Sequence, residues 1–265
     1  GAISDVNTAY ANTSGITGLG NEAVTLTDTS VTDVAALNTL NGNTTGNIDA
    51  DTVTSFTGSI SALNTMFAAK ASSGDGISFS GSAGAADQTV SISDTTDVSV
   101  TGLNTLNGNT TGNIDASGVT SLASASISDI KTLLTAGNNS TNNFAATSFQ
   151  SLATVAVSDT TVSIADLNGA IAQANTATGG TTTVFSVASG ATFTGGSEVE
   201  FSTLLANERL GNISITNQNF TVLQDGTIRS SLANELNATS SGTVTATIIS
   251  DALALSYIAS HPDLI

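Results

Sequence analysis

The segment Leu37–Ala50 recurs without change at Leu103–Ala116, an offset of 103 − 37 = 66 residues. The same offset pairs Val24, Leu26 and Asp28 with Val90, Ile92 and Asp94, and Val53 with Val119. Such a duplication restricts the fold more than any local pattern does. Each copy must adopt the same local structure and bury its apolar stripe against a neighbour. A weaker third copy opens at Val155-Ala156-Val157-Ser158-Asp159 and continues through Ile164, Leu167, Asn168 and Ile171. Another part of the unit recurs too, with Ile3–Tyr10 aligning with Ile60–Phe67 and with Ile127–Leu134. Residue 1 therefore falls inside a repeat, and the chain reads as a piece of something longer.

Within the unit the hydrophobic period switches. Val24-Thr25-Leu26-Thr27 alternates apolar and polar, a strand signal. Val34, Leu37 and Leu40 follow at a spacing of three, which predicts a short helix ended by Gly42 and Gly46. A second strand is expected over Ile48–Val53. A second helical stripe follows at Ile60, Leu63, Met66 and Phe67, with Ser59 as N-cap. Two strand-then-helix coils of about two dozen residues each, followed by a shorter Gly-rich coil near Ile77–Phe79, fit the dimensions of solenoid repeats.

The expected fold is thus a β-rich α/β solenoid of strand–short-helix coils with a parallel sheet. Residues 1–180 form the repeats, and residues 181–265 form a divergent C-terminal cap or a small β-rich domain. In that last part strands are expected at 182–187, 213–222 and 244–249, and a helix at 229–236.

Composition supports a folded chain with a thin core. Only 9% of residues are charged while 39% are hydrophobic, unlike a disordered acidic tail. Aromatics reach 4%, so Val, Ile, Leu and Ala must fill most of the interior. With 4 Lys and Arg against 21 Asp and Glu, and a net charge of −17, nucleic acid and anionic membranes are unsuitable partners. No apolar run approaches the roughly 20 residues of a membrane span. The first residues lack the basic and apolar regions of a signal peptide.

The Leu-Asn-Thr-Leu-x-Gly-Asn-Thr-Thr-Gly stretches, preceded by Val-x-Leu/Ile-x-Asp-Thr, resemble repeats of very large secreted proteins of cyanobacteria and some proteobacteria. The C-terminal Tyr257–Ile265 segment is similar to a motif near the ends of type I-secreted surface proteins in those groups. The resemblance implies an extracellular, cell-surface location and a surface-layer, filament or adhesin role. The acidic, Cys-free composition is similar to that of surface-layer proteins that bind calcium, although the G-G-x-G-x-D nonapeptide is absent.

The candidate calcium ligands are Asp28, Asp94 and Asp159, which follow each first strand, and Asp49 and Asp115, which sit beside Asn47 and Asn113. A hard cation wants several oxygens, and carboxylates are in excess here. The competing role for each Asp is to cap a turn. If each unit holds three coils, successive copies of the first set lie about 14 Å apart, too far to share one ion. Asn41, Asn43, Asn107 and Asn109 suit either turns or sugar contacts.

Catalytic constellations are poorly represented. His261 is the sole histidine, close to the end of the sequence, and there is no Cys. No phosphate-binding or dinucleotide fingerprint occurs. Paired carboxylates could draw on Glu22, Glu198, Glu200, Glu208 and Glu235. The expectation is a non-enzymatic structural segment that self-associates through its repeat ends into a filament, sheath or surface layer. The alternative is a calcium-dependent adhesin or a module that binds surface polysaccharide.

Overall fold

A computed structural model describes residues 1–249 except 13, 72–74, 80–86, 140–142, 181, 224 and 225. His261 and the Tyr257–Ile265 segment lie outside the described residues. The fold is α/β, with eight helices and several small sheets among the described residues, and every strand pairing in them is parallel. The chain divides into two compact units, Gly1–Ala123 with Thr135–Leu152, and Ser124–Leu134 with Ala153–Ile265.

In the first unit, α1 (Ile3–Ala11) precedes β1 (Val24–Thr25) and β2 (Ser30–Val31). Then come α2 (Val34–Asn43), β3 (Asn47–Asp49), β4 (Ser55–Gly58), α3 (Ile60–Ala68) and β5 (Gly76–Ser78). β6 (Thr89–Ile92), α4 (Val100–Asn109) and β7 (Ile114–Asp115) follow. β8 (Ser121–Ala125) and α5 (Ile127–Gly137) contribute residues to both units. One sheet has the order β1-β3-β5, with Val24, Ile48 and Ile77 side by side. The other has the order β2-β4-β6-β7, with Val31, Phe56, Val90 and Ile114 in line.

The second unit continues with β9 (Thr154–Val157), β10 (Thr161–Ser163), α6 (Ile164–Ala177), β11 (Val184–Val187), β12 (Thr192–Gly195) and α7 (Glu198–Arg209). It ends with β13 (Asn219–Val222), β14 (Thr227–Arg229), α8 (Ser230–Thr239), β15 (Val244–Thr245) and β16 (Thr247–Ile249). β9 pairs with β11, β10-β12-β13-β15 form a second sheet, and β14 pairs with β16.

The apolar stripes behave as their spacing predicts. Val34, Leu37 and Leu40 are fully buried, as are Leu63 and Met66. Ser59 caps α3 by accepting from the Ala62 N–H at 3.2 Å. Ser99, Ser163 and Ser197 do the same for α4, α6 and α7, and Asp33 does so for α2. These caps satisfy donors that a helix start leaves open.

The strand expected over Ile48–Val53 is shorter in the structure. β3 ends at Asp49, whose carboxylate accepts the Asp51 N–H at 3.0 Å and turns the chain before β4 begins at Ser55. An aspartate bonded to the backbone two residues on competes with strand continuation. Likewise the run expected over 244–249 is broken at Ala246 into β15 and β16.

Candidate functional site

The five aspartates proposed as calcium ligands divide into two geometries. Asp28 Oδ2 accepts the Ile3 N–H at 2.9 Å, Asp94 Oδ2 the Ile60 N–H at 2.7 Å, and Asp159 Oδ2 the Ile127 N–H at 2.6 Å. Each of those isoleucines is the first residue of a helix, α1, α3 or α5. The carboxylate thus caps a helix that lies 25 to 34 residues earlier in the chain. The helix dipole favours an anion at that end. Asp49 and Asp115 instead close local turns, with Oδ1 accepting from the Asp51 and Ser117 N–H groups at 3.0 and 2.9 Å. Among the described residues, no three or more acidic or histidine side chains gather into a metal-binding group.

A second device recurs at the ends of α2, α4 and α8. Thr44 Oγ1 donates to the Glu22 carbonyl at 2.8 Å and accepts the Gly46 N–H at 3.0 Å. Ser240 Oγ repeats both bonds, donating to the Gln218 carbonyl at 2.7 Å and accepting the Gly242 N–H at 3.1 Å. Gly112 N–H reaches Thr110 Oγ1 at 2.9 Å in the same way. A Cβ on Gly46, Gly112 or Gly242 would lie 2.2, 1.9 or 2.1 Å from the carbonyl oxygen of Glu22, Gln88 or Gln218. Only glycine permits that approach of two backbones.

No family model matches the chain, and neither a curated protein nor a solved structure matches it.

Sequence reasoning overlooked the bonds that join one helix to the next. The fifth residue of a helix donates its side-chain amide to the carbonyl of the third residue of the following helix. Asn7 reaches Ala36, Asn38 reaches Ala62, Asn64 reaches Gly102 and Asn168 reaches Glu200, each at 2.9 Å. In α5 the equivalent residue is Lys131, which pairs with Asp166, the third residue of α6, at 2.8 Å. Between α7 and α8 the link is ionic, with Arg209 bonded to Glu235 and Arg229 to Glu198. The available signal was the repeated Leu-Asn pair at 37–38, 63–64 and 167–168.

Asn41 and Asn107, candidates for turns or sugar contacts, lie in the last turns of α2 and α4, and their Oδ1 atoms are buried. At the sheet margins Ile248 is 47% exposed, whereas Phe56 and Phe193 are fully buried. Of the glutamates considered for paired-carboxylate chemistry, Glu198 and Glu235 are engaged in ion pairs. Glu200 accepts the Gly196 N–H at 2.8 Å.

Proposed function

We propose that the chain is a segment of an extracellular bacterial surface assembly, a solenoid that supplies length and a repeating face and that self-associates through its ends. The observation that carries this reading is the parallel register. The strand residues Val24, Val90, Val155 and Phe220 are separated by 90 − 24 = 66, 155 − 90 = 65 and 220 − 155 = 65 residues. Each pairs forward with the next strand in the same sense, to Ile48, Ile114, Phe185 and Val244. On this reading the section beyond residue 180 continues the repeat with larger side chains rather than replacing it.

Polar side chains support a structural role. Aspartate caps, the Thr-Gly turns and the asparagine links all tie one strand–helix segment to its neighbour. A stack of this kind leaves parallel edges at its ends, and unpaired backbone groups there invite a further strand. The surface location rests on the resemblance of the repeat to those of large secreted proteins.

Electron microscopy of the purified chain, with calcium and after chelation, tests the proposal. Filaments or sheets with a regular axial repeat are expected. Isolated particles at every concentration, in both conditions, would sink it. Assemblies that dissolve on chelation would make calcium the ion that joins them.

A further inference from the structure

In the second unit, the sheet β10-β12-β13-β15 carries a lattice of hydroxyls on its outer side. Val162, Phe193, Phe220 and Val244 stand side by side in it, and the first three are fully buried. Alternate strand residues point to opposite faces, so the residues flanking them turn outward. One outer rank is Thr161, Thr192 and Asn219. Thr243 continues it, its N–H and hydroxyl both donating to Asn219 Oδ1 at 3.0 Å. The other rank is Ser163, Thr194, Thr221 and Thr245. Every residue of both ranks is half-buried or exposed, and none is charged, in a chain of net charge −17.

The other outer faces among the described residues break this pattern. β1-β3-β5 sets Asp49 between Thr25 and Ser78, and β6-β7 sets Asp115 beside Ser91. β9-β11 presents Ala156 and Val184, and β14-β16 presents Arg229 beside Ile249. The hydroxyl lattice is also held still. Threonine is branched at Cβ and stiff about χ1. Beneath it the rings of Phe193 and Phe220 pack with centroids 5.8 Å apart. Ser163 Oγ is committed to the cap of α6, and Thr194 Oγ1 donates to the Val162 carbonyl at 3.4 Å. The hydroxyls of Thr161, Thr192, Thr221 and Thr245 have no hydrogen-bond partner among the described residues.

We propose that this face binds ice, its ligand being the ordered water at the surface of an ice crystal. Neighbouring strands of a parallel sheet lie about 4.8 Å apart, and alternate residues along a strand about 6.6 Å apart. Both intervals are close to those between water oxygens on the faces of ice. Rigid hydroxyls at these intervals hold first-layer waters near lattice positions, and the threonine methyls fill the spaces between. Bonds through ordered water are nearly as favourable as direct ones, and here the waters are already part of the ligand. A polysaccharide is the competing occupant, but the rings of this sheet, Phe193 and Phe220, are 0% exposed and offer a sugar no platform. The inference goes beyond the assembly reading and does not depend on it.

The test is to grow ice slowly from a dilute solution of the purified chain and measure the share of protein taken into the ice. An inert acidic protein of similar size serves as reference. The unaltered chain is expected to enter the ice at least tenfold more than the reference. Thr194→Lys/Thr221→Lys, with an unchanged far-ultraviolet spectrum, is expected to fall to the reference level. Thr221→Tyr, which interrupts the lattice without adding charge, should do the same if the double variant fails to fold. Thr154→Lys, on the β9-β11 face, should retain uptake. Exclusion of the unaltered chain from ice would overturn the proposal, as would an equal loss in Thr154→Lys. Retention on insoluble cellulose or chitin without uptake into ice would overturn it in favour of a polysaccharide ligand. Filaments are read separately by electron microscopy, so either reading can fail while the other stands.

Discussion

Asp94 caps α3 from across the fold, its Oδ2 accepting the Ile60 N–H at 2.7 Å although the two residues are 34 positions apart. Asp28 does the same for Ile3 of α1, whose own N-cap, Ala2, offers no side-chain acceptor. A charge-assisted bond to a helix start is worth about 1–2 kcal/mol. Asp94→Ala is therefore expected to destabilise the chain by about 1 kcal/mol, because Ser59 still serves the first turn of α3. Asp28→Ala removes the side-chain cap from α1 altogether and should expose residues 3–11 to faster amide hydrogen exchange. Equal exchange in Asp28→Ala and the parent chain would contradict this role.

The glycines separate into two kinds with opposite expected effects. Gly46→Ala and Gly112→Ala would push a Cβ to 2.2 and 1.9 Å from carbonyl oxygens of the preceding strand-entry segments. Relief requires parting two backbones, a loss of about 3 kcal/mol or more. Gly42 and Gly108 lie inside α2 and α4, where a Cβ would meet nothing within 4 Å. Alanine there should stabilise by about 0.5–1 kcal/mol through helix propensity. Urea denaturation of the four variants checks both signs, and a similar loss in all four would discard the distinction.

Much of this was legible in the sequence because the period of the apolar residues is a direct consequence of burial. The stripes at Val34, Leu37 and Leu40, and at Ile60, Leu63 and Met66, follow from that alone, and the Ser59 cap follows from a hydroxyl placed just ahead of the second stripe. The aspartates were singled out by their recurrence, but their partners were not visible, since Ile3 and Asp28 meet only after the chain has turned. The Thr-Gly turn was harder to see at Ser240-Ser241-Gly242, where two hydroxyl residues were exchanged. Its geometry depends on a hydroxyl oxygen and a missing Cβ, and serine supplies the first as well as threonine does. At Asp49 the strand ends earlier than the alternation predicts, because the alternation continues in the sequence through a turn that side-chain bonding imposes.

Lys131 stands where neighbouring helices carry asparagine, and its partner Asp166 stands where they present a main-chain carbonyl. Both side chains are substantially exposed, at 43% and 40%, so the pair contributes only a few tenths of a kcal/mol and is screened by salt. Lys131→Asn should restore the amide-to-carbonyl link found between α6 and α7. Its expected stability lies within about 0.5 kcal/mol of the parent at low salt. The difference between the two proteins should shift toward the variant as salt is raised. A parent chain whose advantage grows with salt would refute the screening argument.

Acid should loosen the first unit through Glu22. Its Oε2 accepts from the Gly20 N–H at 2.7 Å, the Asn21 N–H at 3.2 Å and the Tyr10 hydroxyl at 3.0 Å. These donors, led by the Gly20 backbone, hold its carboxyl below the ordinary value of 4.5. A carboxylate whose folded value is depressed stabilises fully above its unfolded value, and that contribution is lost as pH falls through the folded one. The corresponding residue of the last Thr-Gly-type turn is Gln218, whose Oε1 accepts from Thr216 and Asn217 at 3.0 and 3.2 Å. Glu22→Gln can therefore keep the geometry while removing the titration. Thermal melting from neutral pH down to below 4.5 should show the parent ahead of Glu22→Gln at the upper end, with the gap closing as the carboxyl protonates. Asp166, depressed below 3.8 chiefly by its bond to Lys131, loses its contribution on the same acid limb. A constant gap between the parent and Glu22→Gln across the whole range would show that the carboxylate charge does not stabilise this turn.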